Sequence, residues 1–437
     1  MKNIIVAGAG HGGLVAAARL AEKGHKVKII EKKKREELGH DWEDRFTFSL
    51  LEKLGIIKEN EIPDDIWHFR GDCAFVSPAK RKKVIINYND ENRQRIMWRK
   101  PLIALLVDYA EKCGAEIEFE TEILSPVIKR EKVAGVTTDK GELTADLVID
   151  AAGVFSPVRT NLPESFGIEK MPKHGDLFYA YRAYFERDRS FDVPEVPFEV
   201  YMYHEGEQGL SWFNTNDDNC DVLIGRIDKL DDKKVKEQLE IFKKDHPWLK
   251  EKILHGGNYG IIPVRRPLTL MVADGYAAVG DSAFMTTPMN GMGIDLSMLA
   301  GSLLAVTVNA LSDLPCTAEN LWSYNRDFHQ LYGGDTAKNE GLKNAILSLP
   351  SKGVDFLFEN DVIQSSDLAG AGRNTKLSSL LGKFKRGMRA PEYFFALIKG
   401  LIKGGKASGL YKKAPKEYSK AAISEWSNQI SALDIKL

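Results

Sequence analysis

Gly8, Gly10 and Gly13 stand in the run Gly8-Ala9-Gly10-His11-Gly12-Gly13, a G-x-G-x-x-G pattern, and Glu31 follows at the end of a short apolar run. Each residue type there has a physical task. The first glycine permits a tight strand-to-helix turn, the second lets backbone approach a pyrophosphate, and the third lets a helix and a strand pack closely. A helix N-terminus offers free N–H groups and the positive end of a dipole to phosphate. A carboxylate at Glu31 can accept hydrogen bonds from an adenosine ribose. Gly8, Gly10, His11, Gly12, Gly13, Glu31 and Lys32 are therefore candidate contacts to the ADP end of a dinucleotide. The pattern alone leaves FAD and NAD undistinguished.

The flanking elements are in register with that chemistry. Ile4-Ile5-Val6-Ala7 reads as a buried strand. Residues 14–23 read as a helix with Leu14, Ala17, Ala18 and Ala21 inward, and Gly24 is its stop. Val27-Lys28-Ile29-Ile30 is the second strand, delivering Glu31. Further on, Leu38-Gly39-His40-Asp41-Trp42-Glu43-Asp44-Arg45-Phe46 departs from ordinary loop composition, and Asp41, Trp42 and Arg45 are candidate substrate contacts. Pro101 suits the first turn of a helix predicted over residues 102–112. Alternating aromatic and small residues over 177–185, with strand-like runs at 198–203, 209–214 and 220–227, predict one antiparallel sheet.

Bulk properties narrow the function classes. The chain has 437 residues, enough for a large core, and a net charge of -1, so nothing global calls for nucleic acid. Cys73, Cys113, Cys220 and Cys316 are far apart and form no metal or disulfide pattern. The short N-terminal apolar run is no signal peptide, and no run reaches the ~20 apolar residues of a membrane span. A cytoplasmic protein is expected, and no metal. From Arg373 to Lys420 the chain turns basic, and residues 391–403 have the pattern of a basic amphipathic helix; the expectation is a helix packing on the substrate cavity or a partner subunit, with peripheral membrane contact as the alternative.

Two more motifs join the glycine run. One is Ala145-Asp146-Leu147-Val148-Ile149-Asp150-Ala151-Ala152-Gly153 with Ser156-Pro157-Val158-Arg159 after it. The other is Gly280-Asp281-Ser282-Ala283, followed by Pro288 and Gly291-Met292-Gly293. In order and spacing the three resemble the FAD-dependent family of para-hydroxybenzoate hydroxylase and the geranylgeranyl reductases, over about residues 1–310. Arg99, with Leu102 and Leu106, resembles that family's Arg-x-x-Leu contact to FAD. The resemblance implies FAD, with Arg99, Ala152, Gly153, Gly280, Asp281, Pro288, Gly291, Met292 and Gly293 added to its contacts. Asp281 would hold a ribityl hydroxyl, and the helix predicted over 293–311 would aim its positive end at reduced flavin.

Departures from the family pattern point to the reductase branch. Ala152 stands where the hydroxylases carry the aspartate linked to NAD(P)H handling, so an external electron donor, a ferredoxin-like protein or NAD(P)H, is expected. Residues 209–215 resemble a degraded form of the reductases' Tyr-x-Trp-x-Phe-Pro signature: Trp212 is kept, while Leu210, Asn214 and Thr215 replace the rest. Trp212, Asn214, Met289 and Asn290 join the substrate candidates, with Tyr201, Tyr203 and His204 as candidate proton donors. The expected fold is α/β (α+β overall): a Rossmann-type FAD domain (1–72, 96–175, 256–310), an interleaved antiparallel substrate sheet (73–95, 176–255) and a C-terminal helical region (311–437). The expected activity is hydride transfer at flavin N5 to or from a carbon–carbon bond of a small unsaturated hydrophobic or aromatic substrate. The alternatives are an aromatic monooxygenase using NAD(P)H and oxygen, and a non-catalytic flavin sensor.

Overall fold

A computed structural model describes residues 1–88, 94–368 and 377–433. Residues 89–93 of the predicted sheet segment, and Arg373, where the basic stretch begins, lie outside them. A six-stranded sheet carries the first motif. Asn3–Ala7 lies at its centre, parallel to Leu147–Asp150 on one side and to Lys26–Ile30 on the other. Tyr276–Ala278 and Glu116–Glu118 extend it in parallel, and Val272–Ala273 closes one edge antiparallel. All three motifs thus leave the carboxyl ends of neighbouring parallel strands, where an open α/β sheet binds its ligands. The central strands are apolar because helix His11–Ala21 and the strand Lys132–Thr138 of a separate three-stranded sheet pack on them, and Ile4, Val6, Leu147, Val148 and Ile149 are all fully buried.

Helix His11–Ala21 follows the glycine turn and packs directly on helix Ile294–Ala310. The two backbones touch where neither has a side chain. A Cβ on Gly301 would lie 2.1 Å from the carbonyl oxygen of Gly12, and one on Gly12 would lie 2.5 Å from that of Ser297. Glycine is the residue that permits this approach.

The second layer is a seven-stranded sheet, ordered Leu249–Pro263, Leu177–Arg187, Asn219–Arg226, Gly209–Thr215, Phe198–Met202, Cys73–Val76 and Lys83–Ile86. One neighbour pair, Phe198–Met202 with Cys73–Val76, is parallel; the rest are antiparallel. Residues 256–263, grouped in the sequence reading with the cofactor domain, continue the edge strand of this sheet. Side chains alternate across the strands. Helix Asp232–Asp245 covers one face through Phe242, which packs with Tyr201, Phe213, Val222 and Ile224. The other face carries Arg182, Val200, Trp212 and Leu223, cross-strand partners in one row.

A three-stranded sheet absent from the sequence reading, Glu43–Arg45, Arg95–Trp98 and Trp67–Phe69, lies against that second face. Part of the run read as an unusual loop is therefore a strand. The C-terminal helices are bonded into the body. Lys343 Nζ, on helix Gly334–Leu347, donates to the carbonyls of Gly175 (2.8 Å) and Val264 (2.7 Å), and the Tyr411 hydroxyl donates to Pro267 O (2.9 Å).

The Gly12–Gly301 contact yields the first prediction. Gly301→Ala must push the two helices apart and is expected to destabilise the protein by about 1–3 kcal/mol, read as a lower urea midpoint. An unchanged midpoint would contradict the close approach.

Candidate flavin and substrate site

The ADP end is built by the glycine turn. Gly8 has φ +90°, and a Cβ on Gly8 or Gly10 would stand 2.8 or 3.0 Å from the Ala151 carbonyl oxygen. No side chain caps helix His11–Ala21, whose entry residue is Gly10. Its first amides are the groups a phosphate satisfies. Glu31 is buried and splits its carboxylate: Oε2 accepts from Ala9 N and Oε1 from Lys33 N, both at 2.9 Å. Each oxygen retains a lone pair for a ribose hydroxyl. His11 Nε2 is buried without a partner. Burial, then the neighbouring Arg99 guanidinium, pushes its imidazole down to about 4, so it is neutral near pH 7. Lys32 is exposed.

Motifs two and three are lashed to each other. Asp150, fully buried, accepts from Ala152 N (3.2 Å), Ser156 Oγ (2.6 Å) and the Tyr276 hydroxyl (2.9 Å). Gly153 N donates to Ser282 Oγ at 2.8 Å. Arg159, also fully buried, donates to the carbonyls of Ser282 and Val154 and lies 4.5 Å over the Phe284 ring. Asp281 accepts from Thr286 Oγ1 (3.2 Å), and burial raises its carboxyl above the ordinary range. Its Oδ1 is near Gly293, the uncapped entry to helix Ile294–Ala310. Pro288 is buried; Gly291 has φ +69°; Asn290, exposed, accepts from Met292 N (3.2 Å). Glycine turns, uncapped helix ends and the unpartnered His11 nitrogen fit a dinucleotide with a flat ring at its far end.

The small sheet joins the two halves. Arg99 holds Asp44 in a two-pronged pair, Nε to Oδ2 at 2.5 Å and Nη2 to Oδ1 at 2.7 Å, and its backbone N–H donates to Trp42 O at 2.7 Å. Trp42 is stacked by His40 at 4.4 Å, with Arg99 5.6 Å from its ring, and presses on Gly260 of the large sheet. Arg45 reaches Gln94 Oε1 (2.5 Å) and the Met292 sulfur (2.6 Å), fastening this strand to the Pro288 loop. Asp41 accepts from Gly256 N (3.3 Å) and lies 3.2 Å from His255 Nδ1 at the sheet edge.

On the facing side of the large sheet, Arg182 grips Asp221 through Nε and Nη2 at 2.8 and 2.7 Å, both residues buried. Removing either partner would strand the other charge, at a cost of about 3–5 kcal/mol. Trp212 Nε1 donates to Asp221 Oδ2 at 3.1 Å, and Asn214 is the cross-strand neighbour of Asp221. Arg182 Nη1 donates to the Glu43 carbonyl (2.5 Å), while Glu43 N donates to the Tyr184 hydroxyl (2.9 Å). The Glu43 side chain is 6% exposed, with His68 Nδ1 3.4 Å away. Burial pushes its carboxyl up to about 8, against the pull of Arg182.

The structure therefore brings Trp42 to Arg99 and Arg45 to Met292 around the strand Glu43–Arg45, and links Trp212 to that strand through Asp221 and Arg182. It brings neither Tyr201 nor His204 there, while Tyr203 shares an apolar cluster with Met289. Tyr201 pairs across the strands with Ser211, so it points to the face under helix Asp232–Asp245, where its hydroxyl bonds Glu199 and meets His246 Nε2 at 3.0 Å. His204 is buried on that side, stacked on Tyr201 at 4.7 Å and pushed down to about 3 by burial. Tyr203 spends its hydroxyl on Ile346 O (2.8 Å). For Tyr201 the reason is parity: in an extended strand it and the row of Val200 and Trp212 must face opposite ways, whereas Tyr203 and His204 lie past the strand end. Sequence reasoning gave no role to Glu43, Asp44 or the Arg182–Asp221 pair. Two adjacent acids between Trp42 and Arg45 were the available signal.

Comparison with known proteins adds a family and relatives. A family model described as "FAD binding domain" matches residues 1–329. The chain is 26% identical over 380 residues to a digeranylgeranylglycerophospholipid reductase of Methanothrix thermoacetophila, covering 84% of this chain and 92% of that one. In structure it is similar to a geranylgeranyl bacteriochlorophyll reductase-like protein of Thermoplasma acidophilum (TM-score 0.72, 18% identity, 91% and 99% of the two chains). It is also similar to a probable FAD-dependent monooxygenase of Pseudomonas aeruginosa (TM-score 0.58, 19% identity, 82% and 99%). At these identities the structural likenesses speak for the fold.

Glu31 gives this site its test. Glu31→Ala removes charge-assisted hydrogen bonds of about 1.5–3 kcal/mol and is expected to raise the Kd for FAD roughly 10- to 150-fold, measured by flavin fluorescence titration of the apoprotein. An unchanged Kd would contradict the ribose assignment.

Proposed function

The chain belongs to the FAD binding domain family and is an FAD-dependent oxidoreductase, and from that premise we propose that it reduces a carbon–carbon double bond of a hydrophobic unsaturated substrate held against the Trp212 face of the large sheet. One observation carries this reading: Glu43, a buried carboxyl that stays protonated near neutral pH, on the strand that joins the Pro288 loop to that face. FAD, when bound, supplies the hydride. Reduction of an alkene also needs a proton, and on this reading Glu43 gives it.

The chain's other residues divide the remaining work. Arg182, held by Asp221, and the Tyr184 hydroxyl fix the Glu43 backbone through its carbonyl and its N–H, which holds the carboxyl over the sheet. Val200, Trp212 and Leu223 give the substrate an apolar floor. Met289 and Met292 supply an adaptable apolar wall, and Asn214 and Asn290 are its polar contacts. Relatives named for a lipid that carries geranylgeranyl chains favour an isoprenoid-like substrate over a polar one. Electrons come from an external donor, a ferredoxin-like protein or NAD(P)H. The family's nucleotide-handling aspartate is Ala152 here, and neighbouring Asp150 is committed to the fold through three hydrogen bonds.

The pH dependence follows from Glu43. Protonated below about 8 and ionised above it, the carboxyl gives a rate that is full near pH 7 and falls as pH rises through about 8. Glu43→Gln keeps the shape without the proton. It is expected to slow anaerobic reoxidation of the reduced holoenzyme by a polyprenyl alkene roughly 10²- to 10⁴-fold, to abolish the alkaline limb, and to leave flavin content unchanged. A variant with wild-type rate and pH profile would remove Glu43 from the chemistry. A product that is hydroxylated, and forms only with oxygen, would overturn the reductase reading in favour of a monooxygenase.

A further inference from the structure

Helix Pro391–Tyr411 has two unlike faces. Its inner face, with Phe394, Leu397, Gly400 and Gly404 buried, packs on helix Gly334–Leu347 so tightly that a Cβ on Gly341 would lie 2.5 Å from Gly404 Cα. Its outer face alternates: Phe395, Lys399, Ile402 and Lys406 fall at i, i+4, i+7 and i+11, on one side of the helix. Phe395 is 52% and Ile402 54% exposed. The preceding helix, Leu377–Gly387, touches it through Phe384 and Phe394 (5.6 Å) and leaves Phe384 exposed.

Charge is segregated on the same segment. Residues 377–413 hold nine Lys and Arg against one acid, Glu392, in a chain whose net charge is -1. Lys383 and Lys412 are paired, with Asp367 and Asp335. Lys385, Lys399, Lys403 and Lys406 form no ion pair with any of the described residues. An unpaired cationic surface interleaved with exposed aromatic and aliphatic side chains matches the headgroup region of an anionic bilayer: apolar groups enter the acyl boundary and lysines snorkel to phosphate. No helix among the described residues is long and apolar enough to cross a membrane, so this one would lie on its surface.

The inner face adds a connection to the site. Phe394 and Leu397 share one apolar cluster with Phe178, Ile262 and Met289, the last in the Pro288 loop. We propose that the helix pair is a docking platform for an anionic membrane surface, and that it brings a lipid-borne substrate to the apolar cluster that includes Met289. The docking stands by itself; the delivery of substrate rests on the reductase reading above.

The test is co-sedimentation of the FAD-loaded full chain with vesicles of phosphatidylcholine alone and of phosphatidylcholine mixed equally with phosphatidylglycerol. Binding is expected to the mixed vesicles only and to weaken with salt. Each cation near an anionic surface contributes about fivefold, so the double variant Lys399→Gln/Lys403→Gln should bind roughly 25-fold more weakly. Phe395→Ser/Ile402→Ser should lose binding as well. All four positions lie outside the proposed active site, so flavin content and turnover of a short, soluble alkene should match wild type, which separates a docking defect from a folding or catalytic one. Docking is refuted by absent binding, by equal binding to both vesicle types, or by wild-type binding of both variants. A chain that is dimeric by light scattering and becomes monomeric in Phe395→Ser/Ile402→Ser would assign the face to a second copy instead. If vesicles bind but no alkene is reduced, the platform stands and the reductase reading falls.

Discussion

The fork between Arg99 and Asp44 is the contact on which the rest of the site depends. It ties the first turn of helix Arg99–Lys112 to the strand Glu43–Arg45, and the Arg99 amide holds the Trp42 carbonyl beside it. Burial opposes both charges, and each survives because the other is there. The same guanidinium helps keep His11 neutral and offsets the burial of Asp281. The guanidinium thus acts on both groups, with burial the larger cause at each, and the pair fixes the position of the strand from which Glu43 and Arg45 project to the other side.

That strand has a strict division of labour. Asp44 points toward the parallel sheet, while Glu43 and Arg45, one residue to either side, point toward the large one, as the alternation of an extended chain requires. A second buried pair, Arg182–Asp221, receives it there. Buried ion pairs are weak sources of stability but strict about geometry, since a displaced partner leaves an uncompensated charge. The small sheet is thus held between two such pairs, one on each layer. This arrangement positions a carboxyl far better than a surface loop would.

What could be read in the sequence was local. The glycine turn, its two strands and Glu31 are consecutive, and their spacing carries their geometry. Asp281 and Gly293 were legible because a strand and a helix flank them. Tyr201 was misplaced because residue type was weighed without parity, and His204 because it lies past the strand end, in the turn His204–Gly206. Parity depends on the pairing of Val200 with Trp212, a property of register rather than of either strand alone. Glu43 was missed for a related reason. Its raised affinity for a proton comes from burial against the strand Leu177–Arg187, more than a hundred residues further along the chain. The strands Trp67–Phe69 and Arg95–Trp98 have too little periodicity to stand out until Glu43–Arg45 pairs beside them.

The contact between Gly12 and Gly301 has a consequence for ligand choice. It joins two helices whose N-termini are both left without a side-chain cap. With no side chain between them, the separation of those two positive ends is set by backbone against backbone, which packing cannot gradually adjust. On the proposed reading the pair acts as a ruler. A dinucleotide flavin is long enough to meet both ends, whereas a mononucleotide flavin would satisfy one and leave the other facing water. Selectivity for cofactor length would then reside in two hydrogen atoms, at positions where a Cβ would stand 2.1 and 2.5 Å from a backbone oxygen.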